Sequence, residues 1–367
     1  MKRIAIKEVC EVYDGPHATP KKTDNGPVYL GIDAITEDGM LDPSQFAHLS
    51  EEDYVKWTKR VTPQENDIVF SYEATLGRYA VIPKNFYGCL GRRLAIVRII
   101  NDELNAKWLY YYFRSPEWTS FIKNQTVKGS TVDRISIEEF PEYTIPVISL
   151  EDQNKIVDVL DKIDRKIADN KKINDYLEQQ ALLIFRYMFK NISNGSNHVG
   201  DYITPKRGKA LLSKDAIPGQ FPVIAGGLLP ATYHNRANAV APVLTISGSG
   251  ANAGYVNIWH DPIWSSDSSF IDYEMTTNVY FWYAFLKLRQ QDIFDIQTGS
   301  AQPHIYPKHI AELSIGNIDR FQIASYITQV TPLFTKAGAN IRETKRLQQL
   351  RDWLLPMLMN GQVTIGD

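Results

Sequence analysis

Two stretches of this chain constrain it most, because each reads as one helix of about forty residues and the second repeats the first. The first runs from Leu150 to Asn191 without a proline or glycine. Along it Ile156, Leu160, Ile163, Ile167, Leu177, Ala181, Ile184 and Met188 recur in steps of four and three, the spacing that keeps side chains on one seam of a helix. Asn170 and Asn174 fill the two seam positions between Ile167 and Leu177. A polar residue at such a position sacrifices stability and fixes register and partner. Ser149 can cap the start, with Asp152 just inside, and Asn194-Gly195 can end the run. At a rise of 1.5 Å per residue the helix spans roughly 60 Å, the length of a spacer.

The second copy runs from Asp319 to Asn360. A shift of about 170 residues lays Val330 on Leu160, Leu333 on Ile163, Asn340 on Asn170, Leu347 on Leu177, Leu354 on Ile184 and Leu358 on Met188. Pro332 and Gly338 should weaken or kink its first half, and Arg351 stands where the first copy has Ala181. One long amphipathic helix is usually a core helix. Two copies with Asn repeated at the same seam position point instead to a pair of rods. Antiparallel packing buries both seams, so Ile156, Leu160, Ile163, Ile167, Asn170, Leu177 and Ile184 should face Val330, Leu333, Asn340, Leu347 and Leu354.

Outside the rods the chain reads as mixed α/β. In residues 1–148 short β-type runs (Val28-Tyr29-Leu30, Ile68-Val69-Phe70, Leu94 to Ile99) are punctuated by Gly and Pro, and a helix is expected over Ala106 to Phe113. Residues 192–200 are the one polar low-complexity linker. Residues 196–317 repeat the first layout. Gly200-Asp201-Tyr202 mirrors Lys7-Glu8-Val9, Gly208 mirrors Gly15, Pro222-Val223 mirrors Pro27-Val28, and Gly226 mirrors Gly31. The strand Val243 to Ile246 with its loop to Gly254 mirrors Ile68 to Gly77, and a helix over Val279 to Leu288 mirrors that around Trp108. Gly299-Ser300 and Ile305 mirror Gly129-Ser130 and Ile135.

With 367 residues, the chain is long enough for two domains. No apolar run approaches the roughly 18 residues of a membrane span, the N-terminus lacks a signal-peptide core, and Cys10 and Cys89 are too few for a disulfide framework. A cytoplasmic protein is expected. Forty Lys and Arg against 42 Asp and Glu leave a net charge of −2, which permits a local basic cleft but excludes a uniformly basic surface.

Catalytic signatures are missing. Ser247 to Gly254 has its glycines as G-x-G-x-x-x-G, not as a nucleotide-binding loop, and reads as a tight loop between strands. Asp261-Pro262-Ile263-Trp264 lacks the second proline of an amino-methyltransferase motif and reads as a turn. His304 and His309 are off the spacing of a helical metal pair. What remains is polar loop chemistry suited to base edges and phosphates. In the first globule the candidates are Lys21, Lys22, Tyr72, Arg78, Arg92, Arg93, Lys128, Ser130 and Arg134. In the second they are Lys206, Arg207, Lys209, Arg236, Ser247, Ser249, Asn252, Ser265, Ser266, Ser268, Gln302 and His304. Each alone is more often plain solvated surface; their recurrence in matching loops raises the group above that.

Taken together, these features resemble the specificity subunit of bacterial and archaeal type I restriction–modification systems, over nearly the whole chain. The resemblance rests on the paired openings Lys7-Glu8-Val9 and Gly200-Asp201-Tyr202, the strand-then-loop patterns to Gly77 and Gly254, and the paired Gly-Ser before the last segment of each globule. It also rests on Leu150-Glu151-Asp152-Gln153-x-x-Ile156-Val157 and on the closing Leu354-Leu355-Pro356-Met357-Leu358-Met359-Asn360-Gly361-Gln362-Val363. Phe321-Gln322 departs by lacking an acidic residue before the Gln, and Pro332 puts the straightness of the second rod in question.

The resemblance implies a non-catalytic α/β (α+β) chain with a pseudo-two-fold internal repeat. Target recognition domains at 1–148 and 196–317 would each read one half of a split, asymmetric DNA site. Spacer helices at 149–192 and 318–360 would form an antiparallel coiled coil, set the unread gap and carry two methyltransferase subunits. Those subunits would bring S-adenosylmethionine and flip out the target base, while this chain would hold no cofactor or metal. Restriction and translocase subunits would join them. Two rigidly spaced readers on duplex DNA need a spacing near a multiple of its roughly 34 Å turn, which a rod of this length can hold. Three rivals stay open: a fused restriction–methylation enzyme, against which the missing motifs count; a protein-binding coiled-coil adaptor, which would lack the salt dependence of DNA binding; and the specificity subunit of a solitary methylation system.

Overall fold

Ser149 starts the first long helix: its hydroxyl accepts from the Asp152 N–H at 3.1 Å and donates to the Asp152 carboxylate at 2.6 Å. From that cap the helix runs unbroken over Leu150–Met188, 39 residues. Its counterpart covers Arg320–Met359, 40 residues, and remains helical through Pro332 and Pro356. The computed structural model describes residues 2–128, 132–299, 301–363 and 365. The chain divides into two units, Met1–Arg165 with Leu347–Asp367, and Lys166–Arg346, so both unit boundaries fall inside the long helices.

In the first unit a four-stranded antiparallel sheet orders Cys10–Asp14, Leu94–Ile99, Ile68–Ser71 and Tyr79–Val81. A three-stranded sheet orders Ala47–His48, Thr23–Leu30 and Gly88–Leu90, the last pair parallel, and Lys2–Ala5 pairs with Thr144–Val147. Helices Ala106–Phe113 and Pro116–Gln125 cover the larger sheet. The core is aromatic, with Phe70, Tyr79, Trp108, Phe113, Trp118 and Phe140 buried, and Ile156, Leu160, Leu355 and Leu358 of the two long helices join it.

The second unit repeats this plan strand for strand. Its four-stranded sheet orders Lys206–Arg207, Ser268–Asp272, Val243–Ser247 and Val256–Trp259. Thr232–His234, Phe221–Ile224 and Trp264–Ser265 form the three-stranded sheet, again with one parallel pair, and Asn197–His198 pairs with Ser314–Ile315. The helix Val279–Leu288 packs Phe281, Tyr283 and Phe285 with Ala181, Phe185, Tyr326, Val330 and Phe334. Residues 192–200, which read as a linker, belong to this fold: the Gly316 N–H donates to the Ile192 carbonyl, and the strand Asn197–His198 lies among them.

Hydrogen bonds set the repeat register more sharply than residue types do. The Gly91 N–H donates to the Leu30 carbonyl at 2.8 Å, and the Ser266 N–H to the Ile224 carbonyl at 2.7 Å. Leu30 therefore aligns with Ile224, and the matches of Pro222-Val223 to Pro27-Val28 and of Gly226 to Gly31 are one residue out. An irregularity between Thr23 and Val28 shifts the first strand, and Gly31 has no close neighbour that would demand glycine.

Within each unit the long helices run antiparallel. In the first, Arg351 Nη1 donates to Asp164 at 2.8 Å. In the second, Asn170 Nδ2 donates to Glu343 at 2.9 Å and Thr344 at 3.4 Å, and Asn340 Nδ2 donates to Asn174 at 2.9 Å. Asn174 and Thr344 are repeat partners, so the two Asn contacts are two-fold mates. Ile156, Leu160, Ile163, Ile167 and Val330 are buried as the seam requires. Leu177, Ile184, Leu333, Leu347 and Leu354 are only half-buried. Ala181, Phe185 and Phe189 take the buried face in the second unit, because that segment packs against a globular helix as well as its mate. A face wider than a two-helix seam drifts from strict heptads. Gly338 serves contact: a Cβ there would come within 2.8 Å of the His260 Cβ.

Candidate nucleic-acid interface

The matched loops of the two units are held by the same backbone bonds. In the first, Gly77 donates to the Ser71 carbonyl (3.1 Å), Ser71 to Arg78 (3.0 Å), Tyr72 to Arg93 (3.1 Å) and Ile135 to Tyr72 (2.8 Å). In the second, Gly254 donates to Ser247 (2.8 Å), Ser247 to Tyr255 (3.0 Å), Gly248 to Asp267 (3.0 Å) and Ile305 to Gly248 (3.0 Å). Gly77 and Gly254 both sit at positive φ, 75° and 85°, where a side chain would be strained. Bridges of Arg134 to Glu73 and Val127 answer bridges of His304 to Ser249 and Thr298. Gly15 and Gly208 close the frame, donating to the Leu94 and Ser268 carbonyls at 2.8 Å each.

On this shared frame the side chains differ. Asp14 stands where the second unit has Arg207, Tyr72 where it has Gly248, Glu73 where it has Ser249, Arg93 where it has Asp267, and Arg134 where it has His304. Charge is inverted at two of the five positions.

In the first unit Asp14 binds Arg60 and, at 3.1 Å, His17. Arg93, a non-glycine residue at φ 71°, lies 3.4 Å from Glu73. Tyr72 is buried, and its hydroxyl has no hydrogen-bond partner among the described residues. Burial, reinforced by the Asp14 and Glu73 charges, pushes it up to about 12, so it stays a neutral donor. Arg78 is half-buried and tethered to the Ile35 carbonyl at 3.1 Å. Lys21, Lys22, Arg92, Lys128 and Arg134 are exposed, and Ser130 lies outside the described residues.

In the second unit Arg207 Nη2 donates to Asp267 at 2.5 Å, the Ser249 hydroxyl donates to the same carboxylate, and the Arg207 guanidinium carbon lies 6.0 Å from the centre of the Tyr306 ring. His304 stacks on Tyr306 with ring centres 5.9 Å apart. Lys206, Lys209, Arg236 and Gln302 are exposed and Asn252 is half-buried.

Burial corrects four of the sequence candidates. Ser265 and Ser268 are fully buried and bonded to each other at 2.8 Å, and the Ser268 hydroxyl reaches the Ile224 carbonyl. Ser247 closes the glycine loop from inside, and Ser266 is buried with its hydroxyl bonded to the Leu211 N–H. The Ser265, Ser266 and Ser268 hydroxyls are taken up by protein partners, and Ser247 is buried, so none of the four is presented to a ligand. Conversely, Asp14, Arg60, Glu73, Asp267 and Tyr306 join the loop clusters without having been singled out. Only the Ser-Ser-Asp-Ser-Ser run around Asp267 and the aromatic two residues after His304 could have marked them.

The loop Ser247 to Gly254 joins antiparallel strands and runs into the strand Val256–Trp259, so it does not open a helix as a nucleotide-binding loop would. Among the described residues no group of three or more His, Cys, Asp or Glu could hold a metal ion, and no helix is long and apolar enough to cross a membrane.

Comparison with known proteins gives a consistent set of likenesses. Residues 1–179 match the family described as the type I restriction modification DNA specificity domain. The MjaIX specificity subunit of a type I restriction enzyme from Methanocaldococcus jannaschii is 23% identical over 365 residues, covering 87% of this chain and 82% of that protein. A putative type I restriction enzyme specificity subunit from Haemophilus influenzae is 28% identical over 123 residues, covering 32% of this chain and 29% of that one. The crystal structure of the S subunit of a type I restriction–modification system from M. genitalium shares the fold, with a TM-score of 0.57 at 19% identity, over 97% of this chain and 95% of that one.

Proposed function

We propose that the chain is the DNA-reading subunit of a type I restriction–modification complex, because its residues 1–179 match the type I restriction modification DNA specificity domain family. Each globule reads one half of a bipartite site. The observation that carries this reading is the repeat itself: one hydrogen-bonded loop frame, present twice, carries inverted charges. A duplicated frame with unlike side chains reads two unlike half-sites; identical copies would read a palindrome.

Recognition divides by chemistry. Exposed Lys and Arg beside the frame, such as Lys128 and Lys206, neutralise phosphates and supply the sequence-independent part of affinity. Side chains held within the frame meet base edges. The chain performs no bond-making step. Partner methyltransferase subunits supply S-adenosylmethionine, and the paired helices carry those partners and set the number of unread base pairs.

The test is the modified motif in the genomic DNA of a host carrying the operon. Alanine at Arg92 and Arg134 together should blur one half of the motif, and alanine at Gln302 and His304 together should blur the other. Equal blurring of both halves by either pair, in an assembled complex, would replace two readers with one composite surface. A duplex-binding affinity insensitive to salt would remove the DNA reading altogether.

A further inference from the structure

Arg207 is built into its place. The Asp267 carboxylate fixes one edge of its guanidinium, and the Tyr306 ring lies beside it. Its third wall is Gly248: a Cβ added there would lie 2.4 Å from Nη1 and 2.9 Å from Nη2 of Arg207. The first unit has Tyr72 at the Gly248 position and Asp14 at the Arg207 position, so this slot belongs to the second unit alone. Despite three walls the Arg207 side chain is still 39% exposed. Among the described residues nothing accepts from its Nη1 or Nε.

We propose that Arg207 reads a guanine in the half-site of the second globule, with Asp267 as the residue that positions it. The assignment rests on the DNA-reading function above and names the base chemistry of one of its sites. A guanidinium presents a planar fork of donors that matches the O6 and N7 acceptors of guanine in the major groove. Holding that fork in one orientation before DNA arrives removes the rotamer entropy a free Arg would lose on binding. Phosphate is the weaker candidate for the same donors. Arg207 and Asp267 together carry no net charge, and phosphate attraction scales with net positive charge, whereas base recognition depends on donor geometry. The Asp267 carboxylate, already bonded to Arg207 and to the Ser249 hydroxyl, adds a selection against a misplaced acceptor.

The experiment uses the full chain assembled with its methyltransferase subunits and reads the methylated motif by modified-base sequencing. Arg207→Ala should relax one G·C position in one half of the motif, with discrimination there falling about ten- to hundredfold, and leave the other half intact. Arg207→Lys should not restore it, because a point charge replaces a fork. Arg207→Gln should move the preference at that same position towards adenine, whose N6 and N7 suit an amide. Asp267→Asn should blur that position and no other, an outcome that loss of fold would not produce. An unchanged motif in Arg207→Ala, or uniform weakening on all sequences with a smaller salt slope, overturns the guanine assignment and leaves the function standing. A wild-type complex that methylates no bipartite motif overturns the function and the assignment with it.

Discussion

In the first unit the seam between the long helices carries an ion pair: Arg351, 5% exposed, donates to the half-buried Asp164 at 2.8 Å, and the Tyr111 hydroxyl donates to the same carboxylate at 2.9 Å. The repeat shift carries Asp164 onto Phe334 and Arg351 onto Ala181. There the second unit is apolar. Phe334 stacks on Tyr280 with ring centres 4.3 Å apart, and Ala181 is fully buried. The same positions thus hold a charge pair in one unit and an aromatic with a small residue in the other.

The physical reason is complementarity between unlike helices. Arg351 is buried and Asp164 half-buried, so each charge is stabilised by opposite charge nearby: Arg351 by Asp164 and Asp352, Asp164 by Arg351 and, at 3.9 Å, Arg114. Were the first helix to pair with a second copy of itself in the same register, Asp164 would meet Ala181. Were the second helix to do so, Arg351 would meet Phe334. Only the pairing of the first helix with the second satisfies both. A repeated chain, whose halves are similar enough to exchange partners, gains a distinct order from this difference.

The most severe way to break the comparison is Phe334→Asp, which imports the acid of one unit without its partner. Loss of a buried ring costs about 3–5 kcal/mol, and the unpaired charge adds to it, so the second unit should unfold well before the first in amide exchange. Adding Ala181→Arg should recover part of the loss if the positions are equivalent, and no recovery would deny the equivalence.

Next in size is Arg351→Ala, which leaves Asp164 with only the Tyr111 hydroxyl and Arg114 at 3.9 Å and should cost up to about 3 kcal/mol in chemical denaturation. Asp164→Phe combined with Arg351→Ala copies the apolar arrangement and should return stability to within about 2 kcal/mol of the parent. A double variant no better than the single would show that the charge pair is not the source of the loss.

Acid should separate the two units. Burial holds His260, packed on Gly338 and Phe334, well below its usual 6.5, at about 4. As pH falls through 6.5 the unfolded chain takes up a proton that the folded unit refuses. Stability of the second unit therefore declines between about pH 6.5 and pH 4, by about 3 kcal/mol, and levels off below. His260→Phe should flatten that slope; an unchanged slope in the variant would place its origin elsewhere.

The smallest effect belongs to the polar layer. Asn170 is fully buried and its Oδ1 has no partner among the described residues. Asn170→Leu with Asn340→Leu should raise stability by about 1–2 kcal/mol in a thermal melt, while loosening helix register. A lower melting temperature would mean that the Asn layer contributes net stability.

Much of this was legible along the chain because it is local. Periodicity set both long helices to within a few residues, and turn chemistry set the strands Ile68–Ser71 and Val243–Ser247 and the helices Ala106–Phe113 and Val279–Leu288. The repeat was visible because a seam of apolar residues and two Asn survive divergence when each must face the same kind of neighbour. Loop residues were chosen there by type, and type does not reveal burial. Ser265 and Ser249 look alike in sequence, yet one closes a sheet and the other touches a carboxylate at the surface.

What the sequence by itself determined, then, are the elements whose cause lies within a few residues: helix seams, caps, strands and the doubled order of globule and rod. Only the tertiary structure decided which distant side chains meet. Arg207 finds Asp267 across 60 residues and Arg351 finds Asp164 across 187. Those pairings depend on strand register and helix direction, which are fixed by the burial of whole faces, and no local pattern around any of the four residues encodes its partner.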